Sequence, residues 1–226
     1  MTTESAEQVR EKHLRDMGRE LGPVYDALYW DVAWLHAKWN QYRQLFGRSP
    51  NRVAFLNKAA GHFFGVVQRT LTDDVLLHLT RLTDPPKPNR LTLQRLPRLA
   101  QDPALRKKLE GLARAACDAC DRARRSRNQR IAHTDFACAV GLATFDPIPS
   151  RSNVEAALCA IRAVLHRLEM HFWQTETAYE HLFPAGGDAD ALVLYLQKGV
   201  RADKRRMERF IQGEPLPEDY ELDGDI

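Results

Sequence analysis

The sequence predicts an all-α protein, an antiparallel helical bundle with extra terminal helices. Three observations carry that expectation. Apolar residues recur at alternating three- and four-residue spacing over long stretches, the period of a helix with one buried face. No stretch of useful length shows the two-residue alternation of a half-buried strand. The proline- and glycine-rich breaks are short, so long amphipathic segments must double back on one another.

The first twenty residues carry a thin apolar stripe (Val9, Leu14, Met17, Leu21) and read as a loosely docked helical arm. Leu28, Val32, Leu35, Trp39, Tyr42 and Phe46 then form one seam on a helix over 23–46. Gly47 stops it. Ser49 and Pro50 restart the chain as N-cap and first helical residue. The next helix, 50–82, places Leu56, Ala60, Phe63, Val67 and Leu71 on its buried face. "DPPKPNR", residues 84–90, cannot remain helical. A short helix over 92–100 follows. Asp102 and Pro103 open a long helix to 132, with the stripe Leu105, Leu109, Leu112, Ala116, Cys120 and Ala123. After the loop "DPIPSRS", Ser152 and Glu155 fit a capping box. Val154, Leu158, Ile161, Leu165, Leu168 and Phe172 repeat every seven residues. "PAGGD" breaks the chain, a last helix covers 189–212, and the remaining acidic residues read as disordered. The resulting organisation is an arm (1–21), a bundle (22–183), a basic C-terminal helix packed on it (187–213) and an acidic tail (214–226).

The chain has 226 residues, 44% of them hydrophobic, enough to bury a sizeable core. Its net charge is only +3, but the charge is unevenly spread. Lys87 to Arg130 holds thirteen Lys and Arg against four Asp and Glu, whereas 214–226 holds six acids and no base. Such a basic stretch suits a polyanion, and equally a solvated helix face. Four cysteines make no disulfide framework, no apolar run could span a membrane, and the N-terminus has no signal-peptide core. The expectation is a cytoplasmic protein without a membrane partner.

The chemistry concentrates in "SRNQRIAHTD", residues 126–135. Helical steps continue the buried stripe onto Arg127 and Arg130, where an unpaired charge is expensive, so Arg127 requires an anion or a partner subunit. On an ideal helix His133 would lie about 120° round from Arg127 and about 9 Å further on. The two can meet only if the arginine stretches, the helix distorts near Ala132, or two copies pack across a two-fold axis. A permanently charged guanidinium and an imidazole that titrates near neutrality suit RNA cleavage without a metal, using the RNA's own 2′-hydroxyl as nucleophile. The plainer reading is a helix C-terminus whose cations complement its dipole.

Cys117 and Cys120, with His133 and Cys138, have zinc-ligand chemistry; the small-residue setting "AACDACDRA" instead points to close helix packing. The aromatics Tyr25, Tyr29, Trp30, Trp34, Trp39 and Tyr42 fall on or beside the apolar seam, which favours core packing over base stacking. His62 and His78 lie in a largely apolar helix and read as core or interface histidines. Arg201, Arg205 and Arg209 share one helix face that could track an RNA backbone, pair with the acidic tail or face water.

"RNQRIAHTD" resembles the Arg–polar–His signature of the HEPN superfamily of nucleotide-binding helical domains. The upstream "LTRLTDPPKPNRLTLQRL", residues 79–96, sharpens the likeness to the HEPN branch linked to bacterial abortive infection. In helix order the resemblance covers about residues 20–180. It implies a bundle of HEPN type, a homodimer with the two motifs facing, and metal-independent endoribonuclease activity in toxin–antitoxin or anti-phage systems, with no cofactor. An antitoxin or a neighbouring defence protein is the implied partner besides RNA. The resemblance assigns Arg127 and His133 to catalysis, with Asn128 as the polar residue after the arginine. Arg124, Arg125, Arg130 and Asp135 are expected to support RNA or phosphate binding. Many relatives of this kind are non-catalytic binding modules, and that alternative stays open here.

Overall fold

The computed structural model describes residues 5–132, 134–183 and 186–220. Among them are eight α-helices, several short helical turns and no strand. No helix among the described residues is long and apolar enough to cross a membrane. The chain divides into two compact units, Met1–Asn40 with Arg69–Pro184, and Gln41–Gln68 with Ala185–Ile226.

In the larger unit, α1 (Ala6–Phe46) is interrupted at Gly18, whose φ of 78° lies where only glycine is comfortable. Residues 6–17 therefore fold back along the start of the following helix. His13 seats this arm. It is buried, its Nδ1 lies 2.8 Å from the Asp26 carboxylate, and its ring meets Tyr25 and Tyr29 edge-on, each 4.9 Å away. The anchor is thus a histidine inside an aromatic cage, and the thin apolar stripe contributes mainly Met17 and Leu21.

Leu28, Val32, Leu35 and Trp39 are buried on α1, as their spacing predicts. The helix α2 (Pro50–Thr83) starts as expected, with the Arg52 N–H 3.2 Å from Ser49 Oγ. Its stripe departs from expectation. Ala60 is non-helical (φ −160°, ψ 64°), so the periodicity read through it is lost. Phe63 is exposed, and Phe64 is buried in its place. Towards its end α2 buries Val75, Leu76, Leu79 and Leu82.

A 3₁₀ turn (Leu93–Arg95) and α3 (Leu96–Leu99) lead into α4 (Pro103–Ala119), which Asp102 caps through the Ala104 N–H at 2.8 Å. The long helix expected to reach 132 is broken once, at Cys120. It resumes as α5 (Asp121–Ser126) and widens into a π turn, Arg127–Ile131. A short α6 (Phe136–Ala139) precedes α7 (Arg151–Phe172), which packs along α4. The capping box of α7 is Ser150 with Asn153, one register earlier than Ser152 with Glu155; Glu155 instead pairs with Arg151. Ser150 is extended, with ψ 163°, the conformation an N-cap requires. The stripe of α7 from Val154 to Leu168 is buried as predicted. At its end Glu169 is buried and accepts hydrogen bonds from Tyr25 Oη (2.8 Å), Tyr179 Oη (2.6 Å) and the Thr177 N–H (2.7 Å).

The smaller unit holds the end of α1, the start of α2 and α8 (Ala189–Gln212). Asp190, in the first turn of α8, accepts hydrogen bonds from Arg48 and Arg52. The acidic segment, expected to be disordered, is folded as far as Tyr220. Gly213 ends α8 in the left-handed region, Arg209 grips the buried Asp219, and Tyr220 meets Phe210 edge-on at 5.4 Å. Residues 221–226 lie outside the described residues.

Candidate functional site

Leu105, Leu109, Ala116, Cys120 and Ala123 bury the inner face of α4 and α5, and Ser126 continues it. Arg127 comes next and is only 20% exposed. The anion that its position demands is Asp84, at the end of α2. Arg127 Nη1 donates to both oxygens of that carboxylate, at 3.1 and 3.2 Å. Asn128 steadies the guanidinium from the other side, its Oδ1 accepting from Arg127 Nε at 3.1 Å.

Two more arginines gather at Asp84. Arg124 Nε lies 3.9 Å from it and Arg90 Nη1 3.5 Å. Arg124 is fixed further by Asp121 (2.7 Å) and by the carbonyl and hydroxyl of Thr83 (3.2 and 3.1 Å). Three guanidiniums thus surround one carboxylate that is only 16% exposed, leaving a local excess of positive charge.

The helix itself changes where the motif begins. Between Arg127 and Ile131 the backbone hydrogen bonds lengthen to i→i+5, with the Ala132 N–H donating to the Arg127 carbonyl at 2.9 Å. A helix distortion near Ala132 is one of the three routes by which residues 127 and 133 could work together. Such π turns recur at functional sites. His133 itself lies outside the described residues.

The other expected site residues divide among three places. Arg124 joins Arg127. Arg125 and Arg130 turn instead to the chain near Asp146. Arg125 Nε lies 3.3 Å from the Asp146 carboxylate; Arg130 donates to the Asp146 carbonyl (2.7 Å) and stacks on the Phe145 ring at 4.2 Å. Gln129 holds the same segment, accepting from the Asp146 N–H at 2.9 Å. Asp135 caps α6, accepting from the Cys138 N–H at 3.0 Å. That backbone hydrogen bond keeps its carboxyl below the usual range.

Cys117 and Cys120 serve packing. Cys117 Sγ donates to the Thr83 carbonyl at 3.4 Å and accepts from Gln94 at 3.2 Å. Burial raises both thiols, Cys120 to about 11. No cluster of three His, Cys, Asp or Glu able to hold a metal ion occurs among the described residues.

Asp84 is the residue that sequence reasoning missed. It stands in the quoted "RLTD", but its pairing with Arg127 spans 43 positions. One signal was available: residues 85–101 carry no acid, so Asp84 is the nearest upstream carboxylate for a strongly basic segment. A second network was also hidden. His78, buried in α2, sits between Asp31 (3.1 Å), Arg81 (3.0 Å) and Lys38 (3.5 Å). Burial pushes the Asp31 carboxyl up, but His78 and Arg81 outweigh that and hold it below its ordinary range.

No curated protein and no solved structure matches the chain. The family model described as HEPN_AbiU2 (AbiU2) matches residues 19–192, a span that includes Asp84, the arginine cluster and the π turn. That match takes in well over half of the sequence, and the chain belongs to this HEPN-type family, which is associated with abortive infection.

Proposed function

We propose that this HEPN module is a metal-independent endoribonuclease, a toxin or anti-phage effector acting as a homodimer, with Arg127 and His133 of each copy flanking the scissile phosphate. One observation chiefly supports the reading. A guanidinium is pinned at the start of a π turn, within a cluster of three arginines and two carboxylates, Asp84 and Asp121, six residues ahead of an imidazole. Arg127 is charged at any working pH and can hold a non-bridging phosphate oxygen.

In the proposed reaction the RNA's 2′-oxygen attacks the adjacent phosphorus. Its proton leaves to a base, the bond from phosphorus to the 5′-oxygen breaks, and that oxygen takes up a proton. The products are a 2′,3′-cyclic phosphate and a 5′-hydroxyl. His133 moves one of these protons, since imidazole titrates near neutrality. Arg127, with Arg124 behind it, offsets the charge that builds on the phosphorane. Asn128 keeps the Arg127 fork from swinging out. An antitoxin or a neighbouring defence protein would restrain such an activity in the cell.

The test is RNA cleavage by the purified full chain in EDTA. His133→Ala should lower the rate by about 10²–10⁴-fold and Arg127→Ala by about 10²–10³-fold, with unchanged circular dichroism. Undiminished cleavage by His133→Ala, or a strict need for added metal, would refute the proposal. A second reading draws on the carboxylate already seated on Arg127: a binding module whose arginine serves architecture. Equal growth of cells expressing wild type and Arg127→Ala, with no cleavage by either protein, would favour that module.

A further inference from the structure

Beside Asp84 the larger unit opens into a cleft of about 490 Å³, within the size range of small-ligand sites. Asp31 and Ala27 of α1 form one side. Arg81 and Asp84 of α2 and the loop residues Asn89 and Arg90 form the other. The cleft and the motif arginine share a wall, because the carboxylate that holds Arg127 also lines the cleft.

The loop side is built rigidly. Pro85, Pro86 and Pro88 restrict its backbone. From behind, Arg95 ties it down, donating to the carbonyls of Arg90 (2.5 Å), Lys87 (2.6 Å) and Pro88. Gln94 does the same for Thr83 (3.1 Å) and Asp84 (3.3 Å). On the α1 side Asp31 is fixed by Arg81 at 2.5 Å and His78 at 3.1 Å.

Its chemistry is that of an anion subsite with a reading group. Arg81 and Arg90 line the cleft together with the carboxylates of Asp31 and Asp84, while Arg127 and Arg124, the latter also paired with Asp121, reach Asp84 from outside the lining. Arg90 is 48% exposed and lies 3.5 Å from Asp84, whereas Arg81 is held on Asp31 at 2.5 Å, so Arg90 is the guanidinium with the freedom to turn to a phosphate. Asn89 offers an amide donor and acceptor side by side, the pattern that pairs with the edge of an unstacked base.

We infer that this cleft is the subsite for the nucleotide next to the scissile phosphate of single-stranded RNA, with Arg90 contacting its phosphate and Asn89 its base. This rests on the ribonuclease reading above. The experiment is fluorescence anisotropy of labelled oligoadenylate and oligouridylate with the full chain carrying His133→Ala, so that binding is read without turnover. Adding Arg90→Ala should weaken both oligonucleotides about tenfold and lower the slope of log affinity against log salt by about one. Adding Asn89→Ala should change the ratio of the two affinities by roughly threefold, since base edges carry identity and phosphates do not. Melting temperatures of all variants serve as the folding control.

Affinities within twofold of the parent, with an unchanged salt slope and base preference, overturn the inference even if the wild-type protein cleaves RNA. The expected losses in a protein that never cleaves would leave the subsite standing and remove the ribonuclease reading. Failure of the parent to bind either oligonucleotide overturns both.

Discussion

Asp84→Asn keeps the shape of the Arg127 partner and removes its charge. In the structure that carboxylate is 16% exposed and meets Arg127, Arg90 and Arg124 at 3.1, 3.5 and 3.9 Å. An exposed pair contributes up to about 1 kcal/mol, whereas breaking a fully buried one costs about 3–5 kcal/mol. The Asp84 cluster lies between these limits, and Arg124 and Arg127 retain Asp121, Thr83 and Asn128 as partners. The expected loss is about 2 kcal/mol, which for a chain of this size lowers Tm by about 4–8 °C. RNA affinity should move the other way. A negative charge about 7 Å from a bound phosphate, in a mostly aqueous dielectric, opposes binding by about 0.6 kcal/mol, so its removal should tighten binding about threefold. Catalysis should fall about tenfold in kcat, because Arg127 loses the group that aims it. Melting followed by circular dichroism, anisotropy with His133→Ala as background, and single-turnover cleavage read the three effects. A Tm within 1 °C of wild type together with unchanged affinity would refute the ion-pair argument.

Two further perturbations test the larger unit. His36 is buried and its pKa is pushed down to about 4, by burial first and then by Arg162. Between that value and an ordinary histidine pKa near 6.5 the unfolded chain binds the extra proton. Stability should therefore be fully present above pH 6.5 and fall by about 3 kcal/mol as the pH drops toward 4. Urea titrations across that range should show the slope, and His36→Leu should flatten it. Gly22 lies under the returning arm: a Cβ there would stand 2.8 Å from the His13 carbonyl oxygen and 2.9 Å from Leu14 Cα. Gly22→Ala should destabilise the protein by about 1–3 kcal/mol and expose residues 6–17 to limited proteolysis; an arm as resistant as in wild type would argue against this packing.

Much of the bundle is legible because its determinants are local. The stripe of α7, the Ser49–Pro50 start and the Asp102–Pro103 start depend on residues a few positions apart, and each stands where its pattern places it. Reading failed where a local rule had a near-equivalent neighbour or a non-local cause. Ser150 and Ser152 both fit an N-cap, and it is Ser150 that is extended and exchanges hydrogen bonds with Asn153. Nothing near Ala60 announces that α2 loses its period there. At the site, the sequence called for an anion or a partner subunit at Arg127, and the structure supplies an anion. Which carboxylate supplies it depended on how α2 and α5 are brought together, beyond the reach of helical periodicity. The motif's resemblance identified the family; the π turn that starts at Arg127 has no residue signature of its own.

The bracing of the 84–90 loop has a consequence for recognition. A segment stiffened by three prolines and tethered at its back by Gln94 and Arg95 surrenders little motional freedom when something settles against it. Loosening it, by trading prolines for glycines or cutting the tethers, would weaken capture without deleting a single contacting atom. If the proposed subsite binds RNA, its selectivity would therefore be written partly in residues that never meet the guest.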